Sequence, residues 1–297
     1  MMKRILNTLR KTDKLVMGMN QRNLGLIYPN NARKHYKYAD DKYLAKEIME
    51  AKDVKCPRTY GVVEKIGEIE EVWNMVSQWP MLVVKPAKGA GGKGILILKK
   101  EGEQWKKGDA AIDESQIFTH IANIIFGVFS FGDDDRALIE EYVVPHEFFG
   151  EIYPAGVPDF RIILLKGVPV MGMLRMPTAR SNGKANLHQG GLGIGVDMET
   201  GRLKQAYDGK QHISTHPDSG SRIVGKPIPH WEQLVALAIQ TAAEFPLDYL
   251  GVDLVMDKTR GPMVMEVNVR PGLGIQLANQ EGMKEALKKL KLDEYGL

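Results

Sequence analysis

Two periodicities alternate along this chain. Apolar residues recur every three or four positions over Lys42–Lys52, Ile69–Gln78, Ile117–Phe129, Trp231–Phe245 and around Met283–Leu292, which predicts helices. They recur every second position, or run continuously, over 57–63, Met81–Lys85, Gly94–Leu98, Ala137–Val144, Phe160–Leu165, Val168–Met176, Gly251–Asp257 and Met263–Val269, which predicts strands. Punctuation agrees with this division. Asp40 and Asp41 are N-cap candidates for the first helix, and Pro229 and Pro246 bracket the Trp231 helix. Lys166-Gly167 makes a tight turn between two strands, and Lys258-Thr259-Arg260-Gly261 supplies a four-residue loop closing a hairpin. Short strands joined by hairpins and interleaved with helices predict an α+β architecture of two lobes rather than a Rossmann sheet. The expected division is a basic segment at 1–40, one lobe at 41–140 and a second at 141–297.

Composition narrows the class without choosing a function. A chain of 297 residues with 43% hydrophobic and 26% charged residues is an ordinary globular protein, and a net charge of +3 does not argue for nucleic acid. Residues 1–38 differ, with nine Lys/Arg against the single acid Asp13 and with Ile5, Leu6, Leu9 and Val16 at loosely helical spacing. Such a start predicts a helix docked on its own domain, or a contact with an acidic partner or membrane surface. These basic residues lack interleaved stacking aromatics, so no nucleic-acid partner is expected. The single cysteine, Cys56, is read as a structural thiol and fits a reducing compartment. Neither a membrane span nor a signal peptide is legible, and a cytoplasmic location is expected.

Candidate chemistry concentrates in the last hairpin. On a pleated strand Glu266 and Asn268 share one face, with Met263, Met265, Val267 and Val269 on the other. Closing the loop with Asp257 opposite Pro262 places Asp253 opposite Glu266. Like charges directly opposed across a strand pair repel, and a divalent cation with hard oxygen ligands would offset that. Asp253, Glu266 and Asn268 are therefore candidate metal ligands; a solvated hairpin face is the alternative.

Between two strands, Val83–Ile95 carries four glycines and three lysines, so exposed N–H groups and cations come together as a cradle for polyphosphate, or else as a surface hairpin. It is not a Walker A loop. Ala137–Val144 could offer a backbone donor and acceptor to an adenine edge, with Glu147 near for a ribose, or be an ordinary amphipathic strand. Arg161, after Asp159-Phe160, and Arg175 alternate on adjacent strands and could clamp a phosphoryl group or carboxylate. Asn186 and His188 lie in a donor-rich loop ending in Gly190-Gly191.

Taken together and in this order, these motifs resemble the ATP-grasp superfamily, and Asp-x-Arg, Asn-x-His-x-Gly-Gly and Gly-Val-Asp look most like its ribosomal-protein glutamate ligase branch. The nearest resemblance is to alpha-L-glutamate ligase-related, or sugar-transfer-associated ATP-grasp, proteins, from about Asp40 to the C-terminus. That resemblance implies ATP between two α+β lobes, with Lys42 and Lys85 on its phosphates and the loop bearing Lys88, Gly91, Gly92 and Lys93 closing over them. Glu141, Tyr142 and Val143 would face adenine. Asp253, Glu266 and Asn268 would hold two Mg²⁺, or Mn²⁺ in their place, with Glu266 bridging. Arg270 would approach the γ-phosphate, while Arg161, Arg175, Asn186 and His188 would steady an acyl phosphate and a tetrahedral oxyanion. The implied activity is an ATP-dependent carboxylate–amine ligase acting on small-molecule or peptide substrates. A phosphotransferase acting on a hydroxyl, and a nucleotide-binding protein without turnover, are the alternatives.

Two departures qualify the likeness. Only about forty residues precede Lys42 where family members carry a full α/β domain, so substrate recognition is expected in the His212–His230 loop, on a protein partner or in a homo-oligomer. Asn268-Val269-Arg270-Pro271-Gly272 also replaces the Asn-Pro-Ser-Pro-Gly common in the glutamate ligase branch, which loosens the expectation of glutamate as substrate.

Overall fold

The computed structural model describes residues 15–89 and 91–295. Two antiparallel sheets carry the fold, and the chain divides into two units. The smaller comprises residues 41–46 and 56–143, and the larger 1–40, 47–55 and 144–297.

The smaller unit holds β1 (Thr59–Val63), β2 (Met81–Pro86), β3 (Leu96–Glu101), β4 (Gln104–Lys107), β5 (Ala110–Ile112) and β6 (Ala137–Glu141), in the spatial order β1-β6-β2-β3-β4-β5. Helices Ile69–Val76 and Glu114–Ile125 cover one face, where Trp73, Val76, Ile117, Ile121 and Ile124 close the core with Val84, Leu96, Leu98 and Trp105. Burying each such side chain stabilises the fold by roughly 1.5–3 kcal/mol. The second helix starts three residues earlier than the apolar period alone predicts. Asp113 accepts from Gln116 N (2.8 Å) and Gln116 Oε1 accepts from Asp113 N (3.1 Å), a reciprocal cap that fixes the start. The β4–β5 hairpin has no counterpart in the sequence pattern, because its strands of four and three residues are too short to show a period.

The larger unit holds β7 (Asp159–Leu165), β8 (Val168–Met176), β9 (Leu192–Val196), β10 (Leu203–Tyr207), β11 (His212–Ile213), β12 (Tyr249–Asp257) and β13 (Gly261–Asn268), in the order β11-β10-β9-β8-β7-β12-β13. Helices Trp231–Glu244, Gly274–Asn279 and Met283–Lys289 belong to it. Every residue of β12 is buried, as befits a strand covered on both faces.

The basic N-terminal segment is described from Leu15 onward; Ile5, Leu6 and Leu9 lie outside the described residues. From Met17 it packs on the larger unit through apolar burial and specific hydrogen bonds rather than through its charge. Met17, Leu26 and Ile27 are buried. Gln276 closes a pair of bonds with the backbone of Met17 (2.9 and 3.0 Å), and Asn31 does the same with that of Tyr249 (2.6 and 3.0 Å). Among the described residues no helix is long and apolar enough to cross a membrane.

Candidate functional site

The hairpin β12–β13 carries the candidate metal ligands and corrects its expected register. Asp257, not opposite Pro262, pairs with Gly261, because Asp257 Oδ1 accepts from the amides of Thr259 and Arg260 (both 3.0 Å) and closes the loop one residue earlier. Gly261 takes the positive φ of 73° that this tighter closure requires. A bulge then restores the alignment. Leu254 pairs with Val264 and Asp253 with Glu266, so Met265 is the extra residue. Asp253 and Glu266 thus lie directly opposed, while Met263 moves onto their face and Val264 onto the other, the reverse of uninterrupted alternation. Asn268 faces Gly251, whose missing side chain leaves room beside it; a Cβ there would meet Pro271 at 2.7 Å.

Register carries the same face across the sheet. Arg161 pairs with Asp253, and Arg175 with Asp159. Arg161 donates to both oxygens of Asp253 (Nε 2.7 Å, Nη2 2.6 Å), the bidentate geometry a guanidinium favours. Arg175 donates to Asp253 Oδ2 (2.7 Å) and to Asp159. Burial opposes the charge on Asp253, but Arg161 and Arg175 outweigh it and hold its pKa down to about 2. Asp159 goes the other way, raised to about 6, because burial and neighbouring Asp253 together exceed what Arg175 returns. The two arginines thus reach a carboxylate rather than standing open.

No three His, Cys, Asp or Glu side chains gather at a metal-sized point among the described residues, so a cation here would need Asn268 beside the two carboxylates. The set fits one. Asp253 spends three acceptor positions on arginine, leaving about one of the roughly four a carboxylate offers. Asn268 Nδ2 is buried without a hydrogen-bond partner, and a carboxamide can turn either end toward that space.

A separate buried charge cluster lies in the smaller unit. Glu140, fully buried on β6, takes Lys85 of β2 on one oxygen (2.7 Å) and Lys46 on the other (3.1 Å). Burial works against its ionisation, and the two ammonium groups outweigh it and lower its pKa. One buried carboxylate holding two buried lysines leaves an excess positive charge. Lys46 and Glu140 are missing from the sequence reading, although Lys46 stands one helical turn after Lys42, a spacing that marks a shared face.

Other candidates take different places. Lys42 Nζ donates to Gly89 O (2.6 Å), tying the helix to the glycine loop. Lys88 is exposed, its amide on Asp135 (3.0 Å) and its ammonium on Asp134 O (2.8 Å). Gly91, Gly92 and Lys93 are exposed, and both glycines have positive φ (65° and 72°). The loop is held at its far end, where His120 Nε2 bonds Gly94 O (2.8 Å). The Glu141 amide is spent on Arg58 O (3.0 Å), Tyr142 is half-buried, Val143 is buried, and Glu147 is exposed at the start of a short helix. Asn186 Oδ1 caps the His188 amide (3.0 Å), a local structural role, and the His188 ring is exposed. Cys56 is half-buried. In the His212–His230 loop, His216 is buried, bonds Pro177 O (2.9 Å) and stacks on Tyr153, the behaviour of a structural histidine.

The profile of the family described as sugar-transfer associated ATP-grasp matches residues 21–292. This chain belongs to that family. Among curated relatives, a probable alpha-L-glutamate ligase of Pseudoalteromonas translucida is 25% identical over 253 residues, covering 85% of this chain and 63% of that protein. One from Parasynechococcus marenigrum is 25% identical over 249 residues, covering 84% of this chain and 40% of that protein. The chain thus spans about 40–63% of the length of these two relatives. Among solved structures, the biotin carboxylase–β-γ-ATP complex from Campylobacter jejuni superposes with a TM-score of 0.56 at 13% identity, covering 90% of this chain and 48% of that one. That likeness shows the fold, and this ATP-grasp chain shares its α+β architecture.

Proposed function

We propose that this ATP-grasp chain is an ATP- and Mg²⁺-dependent carboxylate–amine ligase that joins an amino acid such as glutamate to a peptide or small amine. The observation that carries the reading is the bulged hairpin. It sets Asp253 against Glu266 and leaves a partnerless buried carboxamide nitrogen at Asn268 on the same strand. Arg161 and Arg175 already offset the charge on Asp253, and a cation would give its remaining acceptor position and the Asn268 carboxamide a further partner.

In this reading Asp253, Glu266 and Asn268 would hold two Mg²⁺, which would neutralise charge on the transferring phosphoryl group. The chain's own residues do the rest. Lys85, backed by the Lys46–Glu140 pair, offers its ammonium to the phosphates, with Lys42, Lys88 and the Gly91-Gly92-Lys93 turn beside them. Glu141, Tyr142 and Val143 face the base and Glu147 the ribose. A carboxylate oxygen of the acid attacks the γ-phosphorus, the bond to the ADP oxygen breaks, and an acyl phosphate forms. The amine nitrogen then attacks the acyl carbon, phosphate departs with the bonding pair, and the amine proton is lost. Arg270, Arg161 and Arg175 would offset developing negative charge, and positioning with charge neutralisation would supply the rate.

The test is turnover of Mg²⁺-ATP against pooled acids, short peptides and amines, following phosphate release and product mass. ADP, phosphate and a product lighter by one water than its two reactants are expected. ADP with a phosphorylated product and no free phosphate would replace the ligase by a phosphotransferase.

A further inference from the structure

A pocket of about 500 Å³ in the larger unit lies outside every role assigned above except that of Arg270. Its walls come from the N-terminal segment, notably Asn23, Ile27, Tyr28, Arg33 and Tyr36, with Arg270 from the chain just after the metal-binding strand. That volume suits a small molecule. Asn23–Ile27 is a π-helical turn, an irregularity costly enough to be frequent where function needs it. The Arg270 guanidinium lies over the Tyr36 ring (4.8 Å) and donates to Asp40 Oδ2 (3.4 Å), a half-exposed ion pair.

The wall's chemistry is one-sided. Arg33 is exposed and has no acidic partner among the described residues. Asn23 spends its Oδ1 on Arg22 Nε (3.2 Å) and Nη2 (2.9 Å), so its amide nitrogen is the end left to donate. Asn31 is saturated by the Tyr249 backbone. Behind the wall, Arg22 is buried with the carbonyl of Pro271 (2.9 Å) and Asn23 as partners and no carboxylate. Burial lowers its pKa, and nearby Arg270 pushes the same way. No Asp or Glu lines the pocket. Donors and positive charge thus predominate around the space, and the acid beside it, Asp40, is already paired with Arg270.

Resting on the ligase reading, we propose that this pocket binds the acid substrate, and that it selects an oxygen-rich acid with no ammonium beside its carboxylate, such as an N-acylated amino acid or the C-terminal carboxylate of a peptide, over a free amino acid. Arg270 holds the carboxylate to be activated, and Arg33 reads a second oxygen-bearing group across the pocket. Substrate recognition then comes from residues 23–36 of this chain.

Calorimetric titration of the full chain with N-acetyl-L-glutamate and with L-glutamate tests this, on wild type, Arg33→Ala and Tyr28→Ala. The expected result is binding of N-acetyl-L-glutamate at least about tenfold tighter than L-glutamate, weakened about tenfold or more by Arg33→Ala, whose exposed side chain leaves the fold and melting temperature in place. Tyr28→Ala weakens it less. Equal binding of the two probes, no binding of N-acetyl-L-glutamate, or an unaltered Arg33→Ala would overturn the proposal. The rise in melting temperature with Mg²⁺-ATP is followed on the same sample. A rise without acid binding removes the pocket and keeps the ligase reading, whereas acid binding without the rise does the opposite.

Discussion

Two buried charge clusters, one in each unit, are built on different balances. In the smaller unit Lys46 and Lys85 share the single carboxylate of Glu140, and the cluster keeps a positive excess. In the larger unit Arg161 and Arg175 meet Asp159 and Asp253 two for two, with Glu266 opposite Asp253 on the paired strand. Buried charge is costly, so an excess marks a place where a counter-ion lowers the energy. The positive cluster suits phosphate oxygens, and the balanced one keeps Asp253 ionised beside hard oxygen donors that suit a divalent cation. The clusters differ in rigidity too. Lysine presents a point charge on a flexible stem, whereas the forked guanidinium of Arg161 fixes Asp253 in one orientation.

The comparison breaks most sharply at Asp253. Asp253→Asn should lower ligase turnover by about 10²–10³-fold, because it removes a metal ligand and leaves Arg161 and Arg175 without their shared acceptor. Turnover at saturating Mg²⁺-ATP measures this, and a loss below tenfold would show that Asp253 serves the arginines alone. Glu140→Gln comes next. It leaves two buried lysines uncompensated and should destabilise the chain by about 3–5 kcal/mol, read from denaturant midpoints.

Lys85→Met and Lys46→Met sharpen the contrast, since either leaves Glu140 with one lysine. Lys85→Met should abolish stabilisation by Mg²⁺-ATP, while Lys46→Met should weaken it by about tenfold while keeping the fold. Equal effects of the two would mean that they bind nucleotide together.

The smallest effect is on pH. The folded pKa of Glu140 is lowered, so its stabilisation is complete above the ordinary carboxylate range, near pH 4.3, and is lost as pH falls toward the depressed value. Wild type should therefore lose melting temperature between about pH 5 and 3 more steeply than Glu140→Gln. Parallel curves would show that the lysines do not hold this carboxylate.

Much of the frame was legible in sequence. The helix starting at Lys42 is capped by Asp41, whose carboxylate takes the Tyr43 amide (2.9 Å), and the final hairpin forms around the turn residues that predict it. These are local facts, set by neighbours a few residues apart. What escaped depends on distant partners. Asp257 closes its turn one residue early and a bulge at Met265 repairs the offset, two shifts that cancel at Asp253 and leave no trace in a periodic pattern. Asn186 also takes a local part that its sequence position does not show, its oxygen accepting from the His188 amide.

The sequence by itself determined which segments become strands and helices, and which residue types could hold phosphate and metal. Period, caps and turn residues act over a few positions. Only the tertiary structure decided that Lys46 shares Glu140 with Lys85, that both arginines converge on Asp253, and that residues 23–36 wall a donor-lined pocket with Arg270. Those partners lie from 39 to 247 positions apart in the sequence, and only sheet register and side-chain packing bring them together.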